Sequence, residues 1–292
     1  MRWKLGRRSG NVVDARSGGR GLRIGGMGSI LVLFGALVVW LMGGNPMSVL
    51  SLLGSPGAAP QASSSNSQPP PDDPQADFVA RILGDTEDTW AELLPREIEV
   101  SYEPAKLVLY RDVIQSACGT GSAAMGPFYC PGDRRVYLDL SFFDQLERRF
   151  GAPGDFARAY VIAHEVGHHI QTLLGTSQEV RAKQAGLSRA AANKLSVRQE
   201  LQADCYAGVW AHHAKTQRNL LEPGDLEEGL KAASAIGDDT LQRKTQSTVV
   251  PESFTHGSSE QRVSWFRRGF EQGRIAQCDT FTDAKEALAI DG

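Results

Sequence analysis

The fold is decided by the stretch AHEVGHH at residues 163–169, which carries the pattern H-E-x-x-H. In an α-helix, residues four apart lie one turn apart on the same face, so His164 and His168 can hold one metal ion between them. Glu165 lies beside them and can act as the general base that takes a proton from water. Helix-forming residues lead into the stretch, and Gly175 follows it as a C′ stop. The pattern therefore predicts a helix that carries a zinc site.

A second stretch, ELQAD at residues 200–204, supplies a candidate for the third metal ligand that the first stretch lacks. Catalytic zinc takes three protein ligands and keeps one position open. Glu200 is the predicted third ligand, and Asp204, one turn further on, is the predicted acceptor for the free ring N–H of a ligand histidine. The alternative is that both acids are solvated on a helix surface. The residues around and after them, from Leu201 to Trp210, are largely apolar, and acids on a buried helix need partners, which favours the zinc site.

H-E-x-x-H with a later E-x-x-x-D resembles the gluzincin pattern of metallopeptidases. More closely, the whole chain resembles the bacterial "putative neutral zinc metallopeptidase" family, over nearly its full length except a low-complexity linker. The resemblance implies a membrane-anchored metallopeptidase with a zincin-like domain and Zn²⁺ as its cofactor. Beside the two stretches above, the segments that carry it are the start at Met1-Arg2-Trp3, the hydrophobic segment, and residues 126–131, 136–143, 253–259 and 265–270.

The resemblance also implies where a substrate lies. Gluzincins typically hold the peptide in an extended conformation against an edge strand beside the zinc helix. By order in the chain, Val136 to Leu140 is the strand that matches this position. Backbone pairing of this kind gives affinity without much choice of sequence, so we expect a protein or peptide substrate.

His256 is the candidate donor to the oxyanion, which needs a hydrogen-bond donor in addition to the metal. It lies in a Thr-His-Gly loop ahead of a helix. Related membrane metalloproteases carry a similar Thr-His element with an arginine a few residues later, which Arg262 matches here. The alternative is a loop histidine that caps the next helix. His169 points about 100° away from the preceding histidine and is not expected to bind the same metal.

The N-terminal region combines a basic segment with an apolar one. Residues 1–23 carry seven basic residues against one acid, and residues 24–44 are uncharged. A transmembrane helix needs about 20 residues, so residues 24–44 are a predicted transmembrane helix. The positive-inside rule then predicts that residues 1–23 are a cytoplasmic tail and that the rest lies outside, in a single-pass protein of the cell (inner) membrane. A cleaved signal peptide is the alternative, disfavoured by the long basic region. A net charge of −3 gives no sign of a nucleic-acid partner.

Residues 45–75, rich in Pro, Ser, Ala and Gln, are a predicted linker, and residues 76–292 the predicted metallopeptidase domain. The predicted fold class of this domain is α+β, with a small sheet followed by a helical C-terminal half. We expect a first helix over 77–94, open to a break near Gly84. Further strands and helices are predicted at 106–110, 113–117, 135–139, 141–150, 188–215, 226–236 and 258–272.

The four cysteines are Cys118, Cys130, Cys205 and Cys278, all beyond the hydrophobic segment. None is in a C-x-x-C pair, so a cysteine zinc site is not expected. An even number in an exported domain indicates two disulfides. Of three pairings we favour Cys118–Cys130, which closes a local loop, together with Cys205–Cys278. The alternative for Cys205 is a buried free thiol.

The sequence thus predicts a membrane-anchored zinc endopeptidase that acts on extracytoplasmic proteins or peptides. The alternative is a catalytically silent, zinc-stabilised, membrane-tethered binding or scaffolding module. Such a module would keep His164, His168 and Glu200 but would have no need of Glu165, whose presence favours the enzyme. The physiological substrate, the cleavage specificity, the oligomeric state and any regulatory partner are left open.

Overall fold

The computed structural model describes residues 1–16, 68–70, 72–246 and 248–282. Met1–Asp14 and Ser67–Gly292 belong to one compact unit, and Ala15–Asn66 to another that lies almost wholly outside the described residues. The predicted transmembrane helix at 24–44 and most of the predicted linker therefore also lie outside them. In the part of the chain that is described, no helix is both long and apolar enough to cross a membrane.

The fold class is α+β, as predicted, with small sheets and a helical C-terminal half. The described residues form strands β1–β6 at Val12–Asp14, Lys106–Tyr110, Val113–Ser116, Gly119–Ser122, Phe128–Cys130 and Arg135–Asp139. They form helices α1–α8 at Pro74–Ile98, Ser141–Arg148, Asp155–Leu173, Thr176–Gln184, Arg189–Thr216, Asp225–Ala235, Asp238–Gln246 and Ser259–Gln272. The predicted later helices match α5, α6 and α8 closely, whereas α4 and α7 were not predicted.

The main sheet has four strands in the order β1-β2-β6-β5. β1, β2 and β6 run parallel, and β5 pairs antiparallel with β6 at the sheet edge. The prediction that Val136 to Leu140 forms a substrate-binding edge strand is wrong, because β6 uses both sides of its backbone to pair with β2 and β5. The edge strand next to it is β5, which packs beside α3.

The first fourteen residues differ from the predicted separate tail, because they are part of the folded domain. Val12 of β1 pairs with Leu107 of β2. The α-ammonium group of Met1 lies 3.1 Å from a carboxylate oxygen of Asp225, at the start of α6. A single membrane crossing at 24–44 would put these residues and the domain on opposite sides of the membrane. That separation is not compatible with this packing.

Gly84 explains how the N-terminal segment is accommodated. Helix α1 runs through this glycine without the break that the sequence left open. A Cβ at Gly84 would lie 2.6 Å from the backbone oxygen of Arg7 and 3.1 Å from the backbone nitrogen of Ser9. The glycine therefore lets residues 7–9 lie directly on the helix. The backbone N–H of Ser9 donates to the carbonyl of Ala80 in the same helix, at 2.8 Å.

Helices α3, α5 and α8 form the core that carries the site. Helix α3 packs on α5, and α8 packs closely along α5. This approach requires a glycine, since a Cβ at Gly269 would lie 2.0 Å from the carbonyl oxygen of Cys205. The predicted pairings Cys118–Cys130 and Cys205–Cys278 are both confirmed. The second disulfide ties the segment that follows α8 to α5.

Candidate metal centre

Three predicted metal ligands meet where α3 faces α5. His164 and His168 lie one turn apart on α3, and Glu200 reaches them from α5. Their ligand atoms all lie within 4.8 Å of one another. The Nε2 atom of His164 is 3.2 Å from one carboxylate oxygen of Glu200, and that of His168 is 3.4 Å from the other. Two imidazole nitrogens and a carboxylate oxygen that converge on one point form a set of donor atoms that suits zinc.

The charges of this cluster also fit a bound cation. Burial opposes protonation of His164, yet the carboxylates of Asp204 and Glu200 raise its pKa to about 10. The pKa of Glu200 is well below its ordinary value despite burial, because His168 and His164 face it. The two rings and the carboxylate therefore favour a positive charge at this point, which a proton or a divalent cation can supply.

Behind His164 lies a buried charged group, here called the floor, which consists of Tyr160, Asp204 and Arg262. The Oδ1 atom of Asp204 lies 2.8 Å from the Nδ1 atom of His164. Arg262 of α8 donates to both oxygens of Asp204, at 2.8 and 2.9 Å, and the hydroxyl of Tyr160 donates to the same carboxylate. Although burial favours the neutral acid, Arg262 and His164 hold the pKa of Asp204 at about 2. The carboxylate thus fixes the Nδ1–H tautomer of His164 and leaves Nε2 for a metal.

A cavity of about 420 Å³ opens in front of the three ligands. Glu165 lines it, and burial raises the pKa of this carboxyl group. The strand β5 contributes Phe128 and Tyr129 to the wall. The apolar side chains of the lining are Met125, Phe128, Phe142, Phe150, Val161, Ile236 and Leu241. The metal ligands therefore share this cleft with apolar side chains from several elements.

The rim of the cavity carries a second histidine–aspartate pair, His256 and Asp238. The Nδ1 atom of His256 lies 3.2 Å from one carboxylate oxygen of Asp238. The other oxygen accepts the backbone N–H groups of residues 255–257, at 2.7, 2.7 and 3.2 Å. The hydrogen bond to Asp238 raises the pKa of His256, whose side chain is 51% exposed. The alternative role of His256, capping the next helix, is not what is seen, because Ser258 caps α8 with a capping box.

His169 points away from the metal ligands, as the helix geometry predicts. Its Nε2–H group donates to the carbonyl of Glu103 at 2.6 Å, and its Nδ1 atom lies 3.1 Å from the hydroxyl of Tyr129. Burial lowers the pKa of His169. This ring is therefore a neutral core residue that fixes Tyr129 in the cavity wall.

Sequence reasoning missed three residues that the structure brings to the site. Tyr160 and Gln171 lie four residues before His164 and three after His168, and this helical spacing alone could have marked both as neighbours of the ligands. Asp238 had no such signal, since it meets His256 only through the fold.

Comparison with known proteins agrees with the predicted family. The chain belongs to the family described as "Putative neutral zinc metallopeptidase", which matches residues 1–281. It is 49% identical over 289 residues to "Uncharacterized protein YpfJ" of Escherichia coli (strain K12), covering 96% of this chain and 99% of that protein. It is 43% identical over 205 residues to "Uncharacterized protein Rv2575" of Mycobacterium tuberculosis (strain ATCC 25618 / H37Rv), covering 67% of each chain. No solved structure matches the chain.

Proposed function

We propose that the chain is a zinc-dependent endopeptidase with a zincin-type site, in which His164, His168 and Glu200 hold the metal. The observation that carries this proposal is the convergence of the three ligands with Glu165 in one cavity. When bound, zinc would polarise the scissile carbonyl and lower the pKa of water. Two disulfides support an oxidising compartment for the domain, including residues 1–14. We also propose that residues 24–44 attach the protein to the inner membrane with residues 1–14 on the same side as the domain, because those residues pack against it.

Glu165 is the general base and acid of the proposed reaction. It takes a proton from the attacking water and passes that proton to the leaving amine. Burial raises the pKa of Glu165, which brings the carboxyl group closer to the pH at which it must both accept and release a proton. The side chain is adjacent to the ligands in sequence yet takes no part in the cluster of ligand atoms.

His256 is the proposed donor to the oxyanion. Asp238 accepts from its Nδ1 atom, so the Nε2 atom is the one left to face a substrate. The raised pKa of His256 favours the charged ring, in which Nε2 carries a proton to donate. Preorganised donors of this kind typically contribute about 10²–10³-fold to the rate.

The substrate is proposed to lie in an extended conformation along β5. This strand pairs with β6 on one side only, lies beside α3, and lines the cavity with Phe128 and Tyr129. A peptide can add to such an edge through backbone hydrogen bonds. The disulfide Cys118–Cys130 anchors the end of this strand.

The test compares Glu165→Gln with the full-length wild type on a mixture of exported proteins and peptides. Glutamine keeps the size of the side chain and cannot act as a base. We expect zinc to be retained and hydrolysis to drop by about 10²–10⁴-fold. Glu179→Gln, at an exposed position on α4, is the matched control and should hydrolyse normally. Undiminished hydrolysis, or full rescue of a deletion phenotype by Glu165→Gln, would instead favour the zinc-stabilised binding module.

A further inference from the structure

The two histidines of the metal centre have different hydrogen-bond partners at Nδ1, the ring nitrogen that faces away from the metal position. His164 has the carboxylate of Asp204, whereas the Nδ1 atom of His168 lies 2.9 Å from the side-chain oxygen of Gln171. Gln171 lies three residues further along α3 and is fully buried. A buried amide carries four hydrogen-bonding sites and must find partners for them.

The amide of Gln171 is the first member of a chain of hydrogen bonds. Its nitrogen donates to the backbone carbonyl of Gln199 at 2.6 Å and to the side-chain oxygen of Gln202 at 3.0 Å. The side-chain nitrogen of Gln202 then donates to the backbone carbonyl of Cys278 at 2.9 Å. Cys278 is fixed to α5 by its disulfide with Cys205. The chain therefore runs from a metal ligand to a covalently anchored segment.

The backbone carbonyl groups at the ends of this series of hydrogen bonds determine the direction of each bond in it. The carbonyl oxygens of Gln199 and Cys278 can only accept, so each glutamine must turn its NH₂ group towards them. The oxygen of Gln171 is consequently left facing His168, and it can only accept. The Nδ1 atom of His168 must then carry a proton, which leaves Nε2, 3.4 Å from Glu200, as the nitrogen that can bind the metal.

We propose that Gln171 is a positioning residue, which sets the tautomer and orientation of His168 for zinc through this amide chain. The inference builds on the metal site of the proposed function. Unlike Asp204, an amide adds no charge to the buried site. Of the two ligand rings, only His164 therefore has a carboxylate behind it, and that charge is balanced by Arg262.

Two substitutions at position 171 separate positioning from simple support of the fold. Gln171→Met keeps an unbranched side chain of similar length and removes all three hydrogen bonds. Gln171→Glu also loses the two donated bonds, but keeps an oxygen that can accept from His168. Both variants should unfold more easily in the metal-free form. Gln184→Ala is the control, because it removes amide bonds to the Ala192 carbonyl and the Ser196 hydroxyl that lie outside the chain.

Zinc affinity of the full-length protein, measured by competition with a chelator, is the deciding quantity. Removal of the side chain that hydrogen-bonds to a metal-bound histidine typically lowers metal affinity by about 10–100-fold. We expect Gln171→Met to bind zinc at least tenfold more weakly than wild type, with Gln171→Glu and Gln184→Ala close to wild type. In ¹⁵N spectra of the zinc-loaded protein, His168 should bind through Nε2 in wild type and Gln171→Glu. In Gln171→Met it should show a second, Nδ1-bound population.

The proposal is overturned if Gln171→Met binds zinc within twofold of wild type. It is also overturned if Gln171→Met and Gln171→Glu weaken zinc binding equally, since only the hydrogen bonds donated by the Gln171 amide would then matter. His168→Ala distinguishes this failure from failure of the metal site. If that variant loses zinc while Gln171→Met retains it, only the positioning role is wrong. If it retains zinc, His168 is not a ligand and the proposed metal site itself is wrong.

Discussion

Two aspartate–histidine pairs meet at the same cavity and differ mainly in their exposure. In the first pair, Asp204 of the floor is fully buried and His164 nearly so. At the rim, the side chain of His256 is half exposed above Asp238. A buried pair cannot reach a substrate, so it can only orient a ligand. An exposed pair keeps one ring nitrogen available for chemistry, which is why similar side chains have different proposed roles here.

The largest expected effect comes from breaking the floor. Arg262→Ala leaves the carboxylate of Asp204 buried without its cation, and loss of one partner of a buried pair typically costs about 3–5 kcal/mol. We expect a decrease of this size in the free energy of unfolding, measured by chemical denaturation. Arg267→Ala, at an exposed position on the same helix, is the control and should change stability by about 0.5 kcal/mol at most. Equal stability of the two variants would contradict the role given to the floor.

Breaking the rim should leave the metal bound and mainly affect turnover. His256→Ala removes a half-exposed side chain, so zinc content should stay near that of the wild type and the free energy of unfolding should change only by the small contribution of the rim pair. If His256 donates to the oxyanion, kcat/KM for peptide hydrolysis should decrease by about 10²–10³-fold. A loss of zinc in this variant, or unchanged kcat/KM, would show that the rim does not act as proposed.

The smallest expected effect is the pH dependence of the free energy of unfolding that the rim pair, His256 and Asp238, contributes. The hydrogen bond to Asp238 raises the folded-state pKa of His256 above its ordinary 6.5. The stabilisation that the charged His256 ring gives the fold is therefore complete below about pH 6.5, and it is lost as the pH rises through the raised pKa. In metal-free protein, the unfolding free energies of wild type and Asp238→Asn should differ most near pH 6 and less at pH 9. A difference that is constant or grows with pH would contradict the pairing.

The three metal ligands and Asp204 were predictable from the sequence, and the rim only in part. His164, His168, Glu200 and Asp204 come from two helices, and the spacing of residues within a helix fixes which of them share a face. His256 was found by resemblance. Its partner Asp238 on α7 was not, because no local pattern relates a residue of a short helix to a loop residue eighteen positions later.

Sheet edges and the N-terminal segment were mispredicted for related reasons. The strand order places β6 inside the sheet, and no periodicity within a strand reveals its neighbours. Residues 1–14 were interpreted from their basic charge, yet Arg7 and Arg8 pair with acids of α1 about 70 to 80 residues away. A helix break was left open at Gly84, which is instead a point of close approach between the helix and residues 7–9. In each case the deciding contact is distant in sequence.

The most direct test of the central claim is the zinc content of the purified full-length chain and of Glu200→Ala. The account predicts one zinc per wild-type chain, held by His164, His168 and Glu200, and loss of that zinc when Glu200 is replaced. Zinc content should stay at one per chain in a Glu179→Ala control, whose side chain is exposed on α4. Full zinc occupancy in Glu200→Ala would contradict the account, because the ligand set on which the floor, the rim and the proposed peptidase activity depend would be wrong.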